Sequence, residues 1–496
     1  MSDGVRLKTY IGFPSTPGTY MAVLERTPYI ALGPDANVTG LGYISVVQET
    51  RGRWGSEGTD RVFRTDGWVE GWDGFDAVEW IAAQTWSNGN VSQFGGSALA
   101  ITSLLCAAAS PPALKAVAAV DGMFDPYFDG MYEGGVYRYN DIHNWLNSQG
   151  SLYMENEFLA HPAYDSFWTQ YGIMERLPKI RVPILYYTGY YDMFRCWPVR
   201  RFTELQNQSD PSVRGKHRLI MGPWTHCNVA STTQGQFTLP GNSIAATTGK
   251  NIDAWLMYHA AGVANNVTDG GPVFYYVMGE FENSSPVPGW EWREAGAFPP
   301  ENGAAAVWYL DAGLSLSASA PGGAAGNDSF AHDPANPCPH VGGHNLNGNK
   351  GPYNQAGIES RGDVLVYTSA LLSSPVTYAC FPEAVIYASS NALEFDIVVK
   401  ITDVHPGGKS ILLSEGALSS KFVDGFDNET ANTPGLVREF HVDLSAFAST
   451  INAGHRIRVI ISAASYNRLE KTVEPAQVVI QRRAGAASAV NLLSYP

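Results

Sequence analysis

Positive charge is scarce in this chain. Lys and Arg number 32 against 47 Asp and Glu, for a net charge of −15 at pH 7. That excess excludes a nucleic-acid or anionic-membrane surface, both of which select basic patches. No stretch approaches the roughly 18 consecutive apolar residues of a membrane span. MSDGVRLKTYIGFPS lacks the apolar core of a signal peptide. Cysteine is also sparse: Cys106, Cys196, Cys227, Cys338 and Cys380 are widely spaced and form no Cys-x-x-Cys pair. So few in a chain this long build no disulfide framework and fit a reducing compartment. Neither a Gly-x-Gly-x-x-Gly nor a Walker sequence is present, so no nucleotide is expected. The expectation is a cytoplasmic protein without cofactor, metal, nucleic-acid or membrane partner. Its oligomeric state is open, a homo-oligomer included.

What is present is core. Of 496 residues, 45% are hydrophobic and only 16% charged, which predicts two or three well-buried domains. MAVLERTP (21–28) and YISVVQET (43–50) read as buried strands. Apolar residues Phe75, Val78, Ile81 and Ala82 recur at helical spacing between Trp72 and Gln84. A short strand before Gly95, a small-residue helix from Ala98 to Ala109 and the strand ALKAVAAV (113–120) continue the alternation. Such alternation predicts a parallel sheet with helices on both faces. Residues 122–178 are dense in aromatics without a strong strand signal and read as a helical insertion. Alternation resumes at VPILYYTG (182–189) and HRLIMGPW (217–224), closing with a helix near 251–261. After Gly270, short alternating runs beginning with VFYYVMG predict an all-β region, with GGAAGND (322–328) as a loop.

NVSQFGGSALA (90–100) reads as strand, tight turn and helix. A serine at such a turn is exposed above the carboxyl edge of the sheet, with a helix N-terminus beneath it. Gly241-Asn242-Ser243 is a similar string, but Leu239-Pro240 precedes it in place of an apolar strand, so Ser97 is favoured. A serine nucleophile needs a base, and the base an orienting carboxylate. Asp192 follows VPILYYTG and His226 follows HRLIMGPW, giving the order Ser, Asp, His at three strand ends. Acyl transfer also needs oxyanion donors, typically about 3–4 kcal/mol each. The Ala98 amide is one candidate, and Tyr29, ending ERTPY after an early strand, is another.

With these residues in place, the sequence resembles the serine hydrolases that include cocaine esterase, X-prolyl dipeptidyl peptidases and α-amino-acid ester hydrolases. The likeness runs through DGVRL, ERTPY, ETRGRWGSEG, DGFDAVEWIAAQTWSNGNV, GYYDMF, MGPWTH, VMGEFENS, DPANPCP, SRGDVLVYTS, ITDVHPGGKS and GHRIRV, in the family's order. It implies an α/β-hydrolase domain in two parts (1–121 and 179–268), a helical cap (122–178) and a C-terminal jelly-roll domain (269–496). It also implies Ser97 as nucleophile, Asp192 as acid, His226 as base, and an oxyanion hole of the Tyr29 hydroxyl and the Ala98 amide. The family elbow, Gly-x-Ser-Tyr-x-Gly, is altered: Ala98 replaces the tyrosine and Ala100 the last glycine. Glu49 stands where an Asp is usual.

These residues and the resemblance lead to hydrolysis of a small or medium ester or amide through an acyl-enzyme. Tyr127, Phe128 and Trp145 of the cap are the expected apolar substrate pocket. Acyl transfer, X-prolyl or aminoacyl peptidase activity, and a non-catalytic ligand-binding protein with a degenerate elbow are the alternatives. Cys338, His340 and His344, with His332 upstream, have metal-ligand residue types, but in a Pro/Gly loop where no metal is expected.

Overall fold

The computed structural model describes residues 1–194, 197–282, 287–322 and 326–496. Cys196, 323–325 of the expected GGAAGND loop and 283–284 of VMGEFENS lie outside them.

Nine strands form the first sheet: β1 (Thr9–Gly12), β2 (Tyr20–Thr27), β3 (Ile44–Glu49), β4 (Ser87–Gly96), β5 (Leu114–Val120), β6 (Ile184–Tyr191), β7 (Arg218–Thr225), β8 (Val273–Val277) and β9 (Glu291–Ala295). Their spatial order is β1-β3-β2-β4-β5-β6-β7-β8-β9. Pairing is parallel from β3 to β8 and antiparallel at both edges. Near-continuous apolar runs such as LKAVAAV and ILYYTGYY suit strands covered on both faces, and β6 is buried at every position. Helices α1 (Asp73–Ala82), α2 (Ala98–Ala109) and α4 (Ile252–Ala261) supply that cover. The chain runs from β2 outward to β3 and then returns to the other side of β2 as β4. This reversal puts a crevice at the carboxyl ends of β2 and β4, where open α/β sheets bind ligands.

Strand β8 departs from the sequence reading. VFYYVMG alternates like the later β runs, yet Val273 to Tyr275 pair in parallel with Leu219 to Met221 of β7. All five β8 residues are buried. Periodicity reports burial pattern rather than sheet membership, so the run was assigned to the wrong sheet.

Between β5 and β6 the chain forms a cap of short helices around α3 (Tyr139–Gln149), with one small hairpin, Tyr132–Glu133 against Val136–Tyr137. From Ala304 to Tyr495 the strands build a separate fourteen-stranded structure. Its pairings are antiparallel except Ser315–Ser317 beside Val364–Ser369. Tyr191 at the end of β6 donates its hydroxyl to the Leu412 carbonyl at 2.8 Å, so the β domain packs against the catalytic edge. Among the described residues, no helix is long and apolar enough to cross a membrane.

Candidate active site

Ser97 sits between β4 and α2 with φ +56° and ψ −121°, a conformation few non-glycine residues adopt. Two backbone bonds hold it there. Its N–H donates to the Val120 carbonyl at 2.9 Å, and its carbonyl accepts from the Ile101 N–H at 3.0 Å. Strand and helix meet so closely that a Cβ on Gly95 would lie 2.4 Å from the Leu99 backbone. The glycine two before the serine is therefore a steric requirement. At Ala100 the added methyl meets a gap on the neighbouring strand end: a Cβ on Gly122 would lie 2.8 Å from the Ala100 methyl. The space taken by the Ala100 methyl is left open by Gly122.

The structure brings Ser97, His226 and Asp192 into one hydrogen-bonded line. Ser97 Oγ is 2.7 Å from His226 Nε2, and His226 Nδ1 is 2.5 Å from Asp192 Oδ1. Asp192, wholly buried, accepts the Phe194 N–H on its other oxygen at 3.1 Å. Phe194 also sets its ring edge-on to the His226 imidazole, with centroids 5.5 Å apart. Burial alone would lower the His226 pKa, but the charge and hydrogen bond of Asp192 outweigh it and hold the imidazole well above its ordinary value. The loop carrying His226 is fixed by Gln234, whose side-chain oxygen accepts the Thr225 N–H at 2.9 Å.

One acid beside this line escaped the sequence reading. Asp121 directly follows β5, is wholly buried, and accepts the Cys227 N–H at 2.7 Å. Burial first and the Asp192 charge second push its carboxyl up to about 7. The strand-end rule that found Asp192 and His226 applies equally to an Asp directly after ALKAVAAV.

Ala98 opens α2, so its N–H is among the first amides of a helix, which have no intrahelical acceptor. Tyr29 lies two residues past β2, across the crevice. Glu49 steadies its loop: the wholly buried carboxylate accepts the Ala31 N–H at 3.2 Å and the Gly55 N–H at 2.7 Å. The Trp145 indole donates to the Tyr29 hydroxyl oxygen at 3.0 Å, which leaves the phenolic hydrogen for another acceptor.

An apolar cavity opens beside Ser97 and Ala98, walled by Phe63, Ile101, Met131, Ile142, Trp145 and Phe194. Of the three expected pocket aromatics only Trp145 lines it. Tyr127 is wholly buried inside the cap, where its hydroxyl donates to the Pro162 carbonyl at 2.8 Å and its ring stacks on Tyr132. Phe128 packs instead on Trp197 and Phe426 at the seam with the β domain. Aromatic density marks the cap's own core here, because so many rings pack best on one another. Asp141 is the single ionisable side chain among the described cavity residues. Its two oxygens are already engaged, one by Arg138 at 2.9 Å and one by the Leu346 N–H at 2.8 Å.

The loop residues with metal-ligand chemistry have protein partners, and His340 and His344 both face Glu415. His340 Nδ1 lies 2.8 Å from Ser465 Oγ, and His344 bridges Glu415 and the Tyr190 carbonyl. His332 Nε2 reaches the Thr472 carbonyl at 3.3 Å, and Cys338 is buried in a small apolar cluster.

Comparison with known proteins bears on the fold and the family. The X-Pro dipeptidyl-peptidase (S15 family) profile matches residues 3–157 and 147–228, and the X-Pro dipeptidyl-peptidase C-terminal non-catalytic domain matches 265–482. The cocaine esterase of Rhodococcus sp. (strain MB1 Bresler) is 26% identical over 550 aligned residues, covering 97% of this chain and 92% of that protein. Two solved structures share the fold at 23% identity, each covering 100% of this chain and 95% of its own. They are an aminopeptidase from the marine sediment archaeon Thaumarchaeota archaeon (TM-score 0.87) and an α-amino acid ester hydrolase (TM-score 0.86). The chain therefore belongs to the serine hydrolase family of the S15 X-Pro dipeptidyl peptidases and cocaine esterase.

Proposed function

We propose that this serine hydrolase cleaves carboxylic esters of uncharged, apolar acyl groups through an acyl-enzyme on Ser97. The observation that carries the reading is the Ser97–His226–Asp192 line opening on an apolar cavity whose one carboxylate is already bound. Ser97 Oγ attacks the ester carbonyl carbon while His226 Nε2 takes the hydroxyl proton. The oxyanion is held by the Ala98 N–H and the Tyr29 O–H. Collapse expels the alkoxide, which takes the proton from His226. Water then repeats the sequence on the acyl-serine and releases the acid. Asp192 keeps the Nδ1–H tautomer and stabilises the imidazolium.

A peptide or aminoacyl substrate with a free ammonium group would have to bury that charge against a carboxylate. Asp141 is the one candidate on the described cavity wall, and Arg138 and Leu346 occupy it. This favours esters over X-prolyl and aminoacyl amides. We also read the C-terminal strands as a jelly roll, on their antiparallel pairing and the match to the family's C-terminal domain.

The test is hydrolysis of a panel of neutral nitrophenyl esters beside X-prolyl and aminoacyl nitroanilides, with fluorophosphonate labelling of the protein. Neutral esters are expected to react fastest, with label on Ser97 and a loss of about 10⁴- to 10⁶-fold in Ser97→Ala. Full activity in Ser97→Ala, or faster turnover of the charged amides, would overturn the reading.

A further inference from the structure

A second cluster of chemically capable side chains lies far from Ser97 in sequence, at one end of two paired β-domain strands. Asp403 is in the strand Asp396–Val404, His405 directly follows it, and His455 directly precedes the partner strand Arg456–Ser462. The turn after His405 is closed by its own backbone: His405 N–H donates to the Lys409 carbonyl, and Gly408 N–H to the His405 carbonyl, both at 2.9 Å. The three side chains are each 2% exposed.

Each oxygen of Asp403 faces one imidazole. Oδ1 is 2.8 Å from His455 Nδ1, and Oδ2 is 3.4 Å from His405 Nε2. His405 Nε2 is buried and makes no hydrogen bond. Its other nitrogen, Nδ1, lies 3.2 Å from Glu282 Oε2. A carboxylate on the far nitrogen is how metal-bound histidines are commonly oriented. Two donors each about 2.0–2.1 Å from a tetrahedral zinc ion lie about 3.4 Å apart, the separation found between His405 Nε2 and Asp403 Oδ2. One donor atom from each of the three residues falls within 4.8 Å of the others.

We propose that His405 Nε2, His455 Nδ1 and the Asp403 carboxylate form a binding site for a divalent metal ion of the zinc class, outside the catalytic edge. Two imidazoles and one carboxylate are a donor set suited to such ions. Glu282 holds the His405 ring, and Glu280, whose Oε2 lies 3.8 Å from His455 Nε2, faces the second ring. Both glutamates follow β8 of the hydrolase sheet, so the ion would join the hydrolase and β domains through its ligands' partners. With the ion bound, the short His455–Asp403 contact becomes an edge of the coordination shell.

The experiment uses the full chain, stripped with a chelator and then titrated with zinc. Bound metal is counted by elemental analysis after desalting, and thermal unfolding is followed. About one zinc per chain and a raised Tm are expected. In His405→Gln, affinity falls at least about tenfold while ester hydrolysis shows the variant to be folded. Cys227→Ser controls for the other His/Cys/Asp grouping, Asp121, His226 and Cys227, and is expected to keep the zinc. Cobalt added to the stripped wild-type chain gives the visible absorption of a low-coordinate site, a readout that needs no variant. A stripped chain that takes up neither zinc nor cobalt would show the cluster to be a hydrogen-bonded His–Asp–His group and overturn the proposal. Zinc lost in Cys227→Ser but kept in His405→Gln would do the same.

Discussion

The indole of Trp145, on the cap, donates a hydrogen bond to the phenolic oxygen of Tyr29, on the sheet, at 3.0 Å. The contact uses the hydroxyl as an acceptor, so its hydrogen remains available for the oxyanion role proposed for it. Tyr29→Phe keeps the ring and removes the donor, so kcat for a neutral ester should fall about 10²- to 10³-fold with KM little changed. Trp145→Phe should lower kcat by less, and its effect should largely vanish in the Tyr29→Phe background. Steady-state kinetics on the four proteins measures both.

Asp192→Asn should lower kcat about 10⁴-fold, because an amide can present its N–H to His226 Nδ1 and so stabilise the wrong tautomer. The Phe194 N–H contact on the second oxygen survives the change, so near-wild-type thermal stability is expected alongside the lost rate. Parallel unfolding and activity measurements separate the two. Loss of both together would mean that Asp192 acts as a structural group.

The acid limb of the rate profile should lie above the ordinary imidazole range, since His226 must be neutral to accept the serine proton and its pKa is raised. Asp121 adds to this once it ionises, because its charge favours the imidazolium. Asp121→Asn should therefore move the acid limb of kcat/KM to lower pH. The same variant has a stability signature. The folded carboxyl keeps its proton up to about 7, against an ordinary value of 3.8, so between those values the native state binds the extra proton. Native stability from this group thus falls as pH rises through that window. Denaturation at several pH values should show Asp121→Asn gaining on the wild type from about pH 4 to about pH 7.

Gly122→Ala should destabilise the protein by about 1–3 kcal/mol, since its methyl would press on the Ala100 methyl in a closed core. Ala100→Gly should recover part of that loss in the double variant, although alone it costs about 1 kcal/mol as a glycine in a helix. Denaturant unfolding of the cycle reads the coupling directly. Additive effects would show that the two positions do not share the space.

Ser97, Asp192 and His226 were legible because each follows an apolar run whose carboxyl end is the site of chemistry in a parallel sheet. That rule needs only local pattern. Asp121 obeys it too and was missed, since an acid without an assigned role reads as a turn. The pocket was less legible. Tyr127 and Phe128 have the right chemistry for a substrate wall, but their partners Pro162, Trp197 and Phe426 come from distant segments that no spacing reveals. Strand β8 fails for a related reason: a run buried by neighbours on both sides carries no mark of which sheet those neighbours belong to.

Leu346 belongs to the β domain, yet its backbone N–H occupies an oxygen of Asp141 and its side chain lines the cavity. A domain that contributes no reacting atom thus helps to decide which charges the site tolerates. Lengthening or shortening the loop around Leu346 would release one oxygen of the carboxylate, while Arg138 continues to hold the other. Selectivity is thus written in part in a stretch of the chain remote from the one that carries reactivity.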